Sequence, residues 1–345
     1  MNKILVTGGC GFLGSYVCEY FQLQGWKVVA YDNLTKFEYS RAGFKDAVRD
    51  YNLNYLKGLD IPVIVADVRD LPTLQKAAKG IDFIAHCAAQ PAMTVALESP
   101  LLDFYNNVQG TLNVLEAAKE AGAAVINCST IHMYGNENIN DSLDVEGNRF
   151  IRGLSPRGID ETHSLLEGVV TPLHVSKRAA ELYVQTYTES YLLPAATFRL
   201  TGIYGPRQFG GEDHGWIANF AIRALLGQPI KVFGTDKQVR DILYVSDAAK
   251  AFHMWYKAGC PYGTFNIGGG PPTATSIKEL LAFLEAHVGK KIKSELLDAR
   301  KGDLWWFVSN SSKAHHDFGW SATTLPGIGL QRLIDWIETE RSLFE

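Results

Sequence analysis

A glycine-rich run near the start of the chain has the spacing of a loop that binds a dinucleotide. The run is Thr7-Gly8-Gly9-Cys10-Gly11-Phe12-Leu13-Gly14, and it directly follows a short β-branched segment. Gly8 and Gly11 allow a tight turn whose backbone N–H groups can approach a diphosphate, while Gly14 lets the next helix pack closely on the strand. The positive end of that helix then faces the anion. We therefore predict cofactor contacts at Gly8, Gly11, Phe12, Leu13 and Gly14.

The acidic residue Asp32 ends the second β-branched segment, at the distance expected for a ribose-binding carboxylate. A carboxylate here accepts hydrogen bonds from both ribose hydroxyls of the adenosine and repels a 2′-phosphate, which favours NAD over NADP. A plain strand-turn-helix with a solvated Asp32 is the alternative. Small and polar residues at the ends of the next segments are further candidate contacts, with ordinary loop residues as the alternative: Asn33, Asp67, Val68, Ala88, Ala89 and Gln90.

These residues need a sheet whose strands end at one edge, and the sequence has that pattern. Short β-branched segments alternate with stretches of helical periodicity through the first two-thirds of the chain, which is typical of a parallel sheet with crossover helices. Strands are predicted at 3–7, 27–32, 62–66, 82–86, 124–129 and 195–199, and helices at 14–24, 72–79, 101–121 and 172–191. The predicted fold class is α/β, a doubly wound parallel sheet of the Rossmann type.

Two parts of the chain differ in pattern. We expect an NAD-binding domain over residues 1–190, with strands that return to it near 195–200 and 240–268. Residues 201–345 should mainly form a smaller substrate-binding lobe, because the alternation becomes irregular and richer in glycine and proline there. The polar, weakly periodic segment 136–171 is interpreted as a loop excursion of the kind that lines substrate pockets.

Composition excludes several classes of function. The net charge is -4 and the basic residues are scattered, so we expect neither nucleic acid nor an anionic membrane as a partner. The five cysteines form no C-x-x-C pair, which favours reduced thiols, and no apolar run is long enough to cross a bilayer. The histidines, including His315 and His316, have no ligand spacing that indicates a metal site. We expect a cytoplasmic protein with a small-molecule partner.

Five short segments carry a resemblance that runs nearly end to end. They are 89–94 (AQPAMT), 107–113 (NVQGTLN), 156–161 (PRGIDE), 205–209 (GPRQF) and 237–243 (KQVRDIL). Through them the chain resembles the extended short-chain dehydrogenase/reductases that act on nucleotide sugars, and among these the CDP-tyvelose (CDP-paratose) 2-epimerases. The resemblance implies a nucleotide-diphosphate sugar as substrate and a tightly held NAD that takes hydride from a sugar carbon and returns it to the opposite face. It also implies cofactor contacts at Asn107 and Thr201.

The same resemblance implies catalytic roles for two residues and reveals a gap. Thr130 matches the hydroxyl residue that hydrogen-bonds the reacting sugar oxygen, although a turn cap is an alternative. Lys177 matches the lysine that holds the nicotinamide ribose and lowers the pKa of the family's catalytic tyrosine, with a solvated helix-surface lysine as the alternative. The tyrosine should stand four residues before Lys177, where this chain has Leu173. Leucine can neither accept nor donate a proton, so the usual general base is missing.

Three substitutes for the missing base remain open. His132 is our first candidate, because it stands two residues after Thr130 and imidazole titrates in the useful range; a merely packed histidine is the alternative. His174 is a minor candidate, since neighbouring helix residues point about 100° apart. The third route is a water held by Thr130 and Lys177.

Substrate contacts are predicted from the lobe and from the sheet edge. Arg240 and Arg300 would bind a diphosphate by bidentate contacts, and by resemblance Asp303 would lie near the nucleotide ribose. A salt bridge to Asp241 or Asp247 is the alternative for Arg240. The further candidates are Gln90, Thr130 and His132. Leu304-Trp305-Trp306 departs from the family, which often has a glutamine after the aspartate, and this leaves the base and sugar open.

The helices at 101–121 and 172–191 resemble those that pair across a four-helix dimer interface, so a homodimer is expected. Three functions follow from the whole pattern. The first is a CDP-tyvelose 2-epimerase-like enzyme with rearranged proton transfer. The second is another NAD-dependent nucleotide-sugar enzyme, either a dehydrogenase that releases a keto sugar or a dehydratase. The third is a non-catalytic NAD-binding scaffold.

Overall fold

The computed structural model describes residues 1–35, 43–153 and 157–345. Its strands are β1 (Lys3–Thr7), β2 (Lys27–Asp32), β3 (Val63–Val65), β4 (Phe83–His86), β5 (Ala124–Thr130), β6 (Asp144–Glu146), β7 (Arg149–Ile151), β8 (Ala195–Leu200), β9 (Gly202–Tyr204), β10 (Ile230–Phe233), β11 (Val239–Tyr244), β12 (Gly263–Ile267), β13 (Ala274–Ser276), β14 (Ser294–Leu297) and β15 (Trp306–Phe307).

Its α-helices are α1 (Phe12–Leu23), α2 (Asp46–Gly58), α3 (Leu71–Ala78), α4 (Met93–Glu98), α5 (Pro100–Phe104), α6 (Gly110–Ala121), α7 (Asn136–Asn140), α8 (Pro172–Tyr191), α9 (Trp216–Leu225), α10 (Val245–Lys257), α11 (Ile277–Val288), α12 (Ser312–Phe318) and α13 (Pro326–Thr339). Every helix in the described part of the chain is too short or too polar to cross a bilayer.

The main sheet has seven strands in the order β12-β8-β5-β4-β1-β2-β3. All neighbouring strands in it pair in parallel. β4 and β8 are buried at every residue, because helices cover both faces of a sheet of this type. The predicted α/β fold class is thus confirmed. Since parallel strands all end at one edge, the loops after β1, β2, β4, β5 and β8 meet there and can form one site.

Each face of the main sheet has its own core. On one face α1 packs against α10, with Phe21, Phe252 and Trp255 in the shared apolar cluster. On the other face α6 packs between α3 and α8, with Leu115 and Val184 in a second cluster. Helices therefore pack on both faces of the sheet.

The helix predicted over 101–121 is interrupted by a π-helical turn. α5 and α6 are joined by Tyr105–Gln109, which is wound as a π-helix. This wider turn accompanies the inward-facing Asn107, whose side chain bonds the backbone of Gln90 at both N–H and C=O. Turns of this type are frequent at functional sites, and helical periodicity alone does not reveal them.

A smaller lobe lies at the carboxyl edge. Its core joins α9, α11 and α13 with residues of β10 and β11. β8 and β12 pair within the main sheet, whereas β11 pairs with β9, β13 and β15. β11, the strand expected to return to the main sheet near residue 240, therefore belongs to a second sheet. The chain leaves the main sheet after β8, and the next strand, β9, pairs with β11. The boundary between the two parts of the chain stays a prediction.

The segment predicted as a loop excursion over 136–171 contains short elements of its own. These are α7 and the antiparallel hairpin of β6 and β7. A bridge between Tyr134 and Leu165 ties the excursion to the end of β5. Pro156, the first residue of the 156–161 segment, lies outside the described residues.

Candidate active site

The glycine loop joins β1 to α1 at the carboxyl edge of the sheet. Gly8 has a φ of 67°, and a Cβ there would lie 2.6 Å from the backbone nitrogen of Ala88. A Cβ on Gly14 would overlap the carbonyl oxygen of Gly8. α1 begins at Phe12 without a capping side chain from the described residues. Its first N–H groups are therefore directed at the loop, as an anion site requires.

Asp32 holds this loop in shape from the end of β2. One carboxylate oxygen accepts a hydrogen bond from the backbone N–H of Cys10 at 2.9 Å, and the other accepts one from Leu34 at 2.8 Å. Each carboxylate oxygen has two lone pairs, so each keeps one for a ribose hydroxyl. Asp32 is buried, which strengthens its discrimination against a 2′-phosphate.

Asn33 and Asp67, two further predicted cofactor contacts, are hydrogen-bonded to each other beside Asp32. Asn33 donates to Asp67 at 2.8 Å, and Asp67 also accepts two hydrogen bonds from the Arg69 guanidinium. Hydrogen bonds from Arg69 lower the pKa of Asp67 to about 2. Val68 is buried beneath them. The pair Asn33 and Asp67 thus forms a fixed polar edge beside Asp32.

The loop after β4 is fixed by a buried polar network. Asn107 accepts from the Gln90 N–H at 2.8 Å and donates to Asp103 at 2.9 Å and to Ser176 at 3.1 Å. The Gln90 side chain donates to Asp103 at 3.0 Å. The Gln90 side chain is therefore turned toward α5 and is not among the residues that line the cavity with Thr130. Ala88 and Ala89 stay partly exposed at the edge.

Lys177 and Leu173 face the end of β5 from one side of α8. The Lys177 ammonium donates to the backbone carbonyl of Cys128 at 3.0 Å. Lys177 is buried, and this burial lowers its pKa. It is therefore not a solvated surface lysine. Leu173 is also buried and lines the cavity between the sheet edge and the lobe, so an apolar side chain occupies the position one turn before the lysine.

Thr130 and His132 lie at the end of β5. Thr130 accepts a hydrogen bond from the His132 N–H at 3.2 Å and lines the same cavity as His132. The Thr130 hydroxyl therefore caps a turn, and Thr130 is also part of the cavity wall. His132 Nδ1 is buried without a partner among the described residues. Burial of the ring, followed by the charges of Arg240 and His174, lowers the pKa of His132 to about 3.

His174 has a different environment from His132. Its Nδ1 accepts from the Thr171 N–H at 3.0 Å and lies 2.6 Å from the Thr171 hydroxyl. These contacts form a capping box at the start of α8. The ring centroids of His132 and His174 are 6.0 Å apart and nearly perpendicular. His174 thus serves the helix end, which weakens its candidacy as a base.

A cavity of about 360 Å³ connects the sheet edge to the lobe. Thr130, His132 and Leu173 line one side of it, and Arg240, Arg300 and Asp303 line the other. The structure therefore brings these sequence-predicted residues together around one space. Thr201, expected as a cofactor contact, also lines this cavity, and its hydroxyl has no partner in the described part of the chain.

The two arginines of the lobe already have protein partners. Arg240 contacts Asp303 at 2.9 Å, rather than Asp241, which binds Gly270 and Ser309, or Asp247, which binds residues after α12. Burial lowers the pKa of Arg240. Arg300 donates to the backbone carbonyl of Glu212 at 2.5 Å, and its guanidinium lies 4.0 Å from the centroid of the Phe233 ring.

Comparison with known proteins identifies the family of this chain. Residues 4–268 match the NAD dependent epimerase/dehydratase family. The chain belongs to this family. The CDP-paratose 2-epimerase of Salmonella typhi is 31% identical over 97% of this chain and 98% of that protein. The UDP-glucuronate 4-epimerase of Thermodesulfobacterium geofontis is 28% identical over 97% of this chain and 96% of that protein.

A solved structure extends the likeness to three dimensions. The NAD complex of UDP-glucose 4-epimerase from Thermus thermophilus superposes with a TM-score of 0.77 at 29% identity, covering 97% of this chain and 99% of that one. The resemblance predicted from the sequence is confirmed: this member of the NAD-dependent epimerase/dehydratase family is an extended short-chain dehydrogenase/reductase, and its cofactor is NAD.

The described residues of this family member fit NAD at three places. The glycine loop leaves no room for side chains where a diphosphate approaches the start of α1. Asp32 keeps lone pairs for the adenosine ribose. Lys177 places an ammonium at the end of β5. No group of His, Cys, Asp or Glu side chains suited to a metal ion occurs within the described ranges.

Sequence reasoning missed several cavity residues of the epimerase/dehydratase fold. Gln208 donates to the Ile203 carbonyl at 3.1 Å, and its Oε1 is buried without a partner in the described chain. Its segment, 205–209, carried the family resemblance, but a motif does not say which side chains face the cavity. Glu212, Asp213 and Lys231 also line it, and no spacing in the sequence marks them.

Proposed function

We propose that this enzyme is an NAD-dependent nucleotide-sugar epimerase that works by transient hydride transfer, with the reaction type of the CDP-paratose 2-epimerases. The observation that carries the proposal is a shared cavity, with Thr130 and His132 on the sheet side and Arg240 and Arg300 on the lobe side. Two guanidinium groups suit a nucleoside diphosphate by bidentate contacts. The sugar beyond the diphosphate would then reach the end of β5, with Asp303 near the nucleotide ribose.

NAD, when bound, supplies the hydride acceptor and donor. In the proposed complex the backbone of Gly8, Gly11 and Gly14 holds its diphosphate, Asp32 its adenosine ribose and Lys177 its nicotinamide ribose. The other cofactor contacts that we propose are Phe12, Leu13, Asn33, Asp67, Val68, Ala88, Ala89, Gln90, Asn107 and Thr201.

Proton transfer is assigned to His132, with Thr130 orienting the sugar oxygen. Because the pKa of His132 is lowered to about 3, the imidazole is neutral at pH 7 and has a nitrogen lone pair for a proton. Arg240 contributes to that lowering. A bound diphosphate would offset the charge of Arg240 and so remove one cause of the lowered pKa of His132, while burial, the largest cause, would still act.

Leu173 is proposed to stand where other family members have their catalytic tyrosine. Its side chain borders the reacting region but carries no proton. The capping contacts of His174 with Thr171 leave His132 as the better placed imidazole. A water held by Thr130 and Lys177 is the remaining route, and a variant of His132 separates the two.

We also propose a homodimer through α5 and α8. These helices pack side by side, and their outer surface exposes Leu101 and Phe104 from α5 and Val175, Leu182 and Tyr183 from α8. An exposed apolar patch on adjacent helices is typical of a subunit interface. A second copy of the chain would cover it with the same patch about a twofold axis.

The test of the proposed function is the fate of solvent deuterium. CDP-paratose is incubated with the holoenzyme in heavy water, and the epimerised product is examined at C2 by NMR. We expect no deuterium there, because a hydride transferred to and from the cofactor does not exchange with solvent. Stoichiometric deuterium would contradict hydride transfer at this carbon and favour enolisation beside a ketone.

Two further outcomes separate the competing functions. Net release of a keto sugar with accumulation of NADH would favour a dehydrogenase over an epimerase. Absence of turnover and of any transient NADH with CDP-paratose, CDP-glucose and UDP-glucose would contradict both enzymatic functions and favour an NAD-binding scaffold.

A further inference from the structure

The loop excursion after β5 contacts the two chain segments that carry Arg240 and Asp303. Phe150 of β7 donates its backbone N–H to the carbonyl of Lys237 at 3.0 Å, shortly before Arg240 in the chain. The Phe150 ring also stacks on the ring of Trp305, with centroids 5.8 Å apart and planes 15° from parallel. The excursion therefore touches both of the lobe segments from which nucleotide contacts are predicted.

Asn140, the last residue of α7, binds the second of these segments through both atoms of its amide. The amide nitrogen donates to the backbone carbonyl of Asp303 at 3.0 Å, and the amide oxygen accepts from the backbone N–H of Trp305 at 2.8 Å. These two groups belong to the peptide bonds on either side of Leu304. Because β15 begins only at Trp306, the Asn140 side chain supplies here the bonds that a partner strand would supply.

The Asp303 side chain connects this fixed backbone to the cavity. One carboxylate oxygen accepts from the Arg240 guanidinium at 2.9 Å, and the other accepts from the Gln238 amide at 3.2 Å. All three residues line the cavity, whereas Asn140 is not among the described residues that line it. An effect of Asn140 on a ligand in the cavity must therefore pass through the segment around Leu304.

We propose that Asn140 is a positioning residue for nucleotide binding, which holds Asp303, and through it the Arg240 guanidinium, in the geometry that a nucleoside diphosphate requires. The inference rests on the proposed function, in which Arg240 contacts the diphosphate and Asp303 lies near the nucleotide ribose. Groups that are already ordered bind a ligand more tightly, because less conformational entropy is lost on binding. Both bonds of the Asn140 amide go to the lobe, so NAD binding should not depend on them.

Asn140→Ala tests the inference by calorimetric titration of CDP and UDP into the NAD-loaded enzyme. Alanine suits the end of a short helix, and Asn140 is only partly buried. We expect the affinity for the nucleotide that binds to fall at least about tenfold, because Asp303 and Arg240 are no longer held in place. The affinity for NAD should stay within about twofold. Asn138→Ala is the matched control, since Asn138 is an exposed amide of the same helix, bonded to the Glu167 side chain.

A double-mutant cycle with Asp303→Ala separates positioning from a general loss of stability. Once residue 303 is alanine, Asn140→Ala should change nucleotide affinity by no more than about twofold. Asp303→Ala should keep measurable binding, because Arg240 and Arg300 retain their charges. Asn140→Asp is a second variant of the same shape, which keeps an acceptor for the Trp305 N–H but lacks the donor for the Asp303 carbonyl. It should weaken nucleotide binding in the unmodified background more than in the Asp303→Ala background.

The outcomes distinguish this inference from the proposed function. Equal nucleotide affinity of Asn140→Ala and the unmodified protein would overturn the role of Asn140, while the proposed function would stand. A loss by the same factor with and without the Asp303 carboxylate would overturn the positioning of Arg240 through Asp303. If the unmodified, NAD-loaded protein binds neither CDP, UDP, CDP-glucose nor UDP-glucose, the proposed function is overturned and this inference falls with it.

Discussion

Asp32 has two tasks, and the ratio of the affinities for NAD and NADP reports on only one of them. It fixes the glycine loop through Cys10 and Leu34, and its negative charge faces the place of the adenosine ribose. Asp32→Asn keeps only one of the two acceptor oxygens, so it loses one loop contact as well as the charge that repels a 2′-phosphate. The lost loop contact affects NAD and NADP alike, whereas the lost charge changes their ratio. We expect the preference for NAD over NADP to fall at least about tenfold, measured by calorimetry with both cofactors. Equal affinity of the unmodified protein for NAD and NADP would contradict the role of Asp32.

The sequence indicated which residues belong to the site, but it did not indicate which side chains bond to one another there. The family resemblance assigned Thr130 and Lys177, and the position two residues after Thr130 suggested His132. The structure brings Thr130 and His132 to one cavity with Lys177 nearby. The sequence alone did not predict that Arg240 binds Asp303, because the two residues are 63 positions apart. The bond between Asp213 and Thr94 spans 119 positions. Such pairings depend on how distant segments of the chain pack together, which local sequence does not encode.

The π-helical turn between α5 and α6 gives a prediction about stability. Asn107→Ala would leave the buried Gln90 N–H and the Asp103 carboxylate each without one partner. We expect a loss of about 1–3 kcal/mol in the free energy of unfolding, measured by urea denaturation of the holoenzyme. Asn106→Ala is the control, because Asn106 is only partly buried and donates to one helix carbonyl. An equal loss in the two variants would contradict the special position of Asn107.

Strands and helices of regular period were predictable for a simple reason. Buried parallel strands are apolar at successive residues and helices repeat their apolar face, so both patterns are visible in the sequence. The main-sheet strands agree closely with the segments expected at 3–7, 27–32 and 195–199. β11 differs because the apolar pattern of a strand does not specify its partner. It pairs with β9 of the lobe instead of the main sheet.

The proposed homodimer can be tested through the exposed apolar patch on α5 and α8. A variant with both Leu101→Glu and Leu182→Glu would place four charges in a twofold interface, so we expect it to sediment as a monomer while the unmodified chain sediments as a dimer. Leu296→Glu is the control, since Leu296 is 62% exposed in the lobe. Sedimentation of the unmodified protein at the 38.1 kDa of one chain would contradict the proposed homodimer.

His132 is proposed to act as the base in place of the tyrosine that the family resemblance implies at position 173. This role is tested most directly by single-turnover absorbance at the NADH band with CDP-paratose, which separates hydride transfer from product release. His132→Ala should slow this step by about 100-fold or more, with NAD and nucleotide affinity nearly unchanged. His163→Ala is the control, because this partly buried histidine does not line the described cavity. Leu173→Tyr, which would place a hydroxyl one helical turn before Lys177, should raise the rate in the His132→Ala background. Full activity of His132→Ala would contradict the assignment and leave the base to a bound water or to His174.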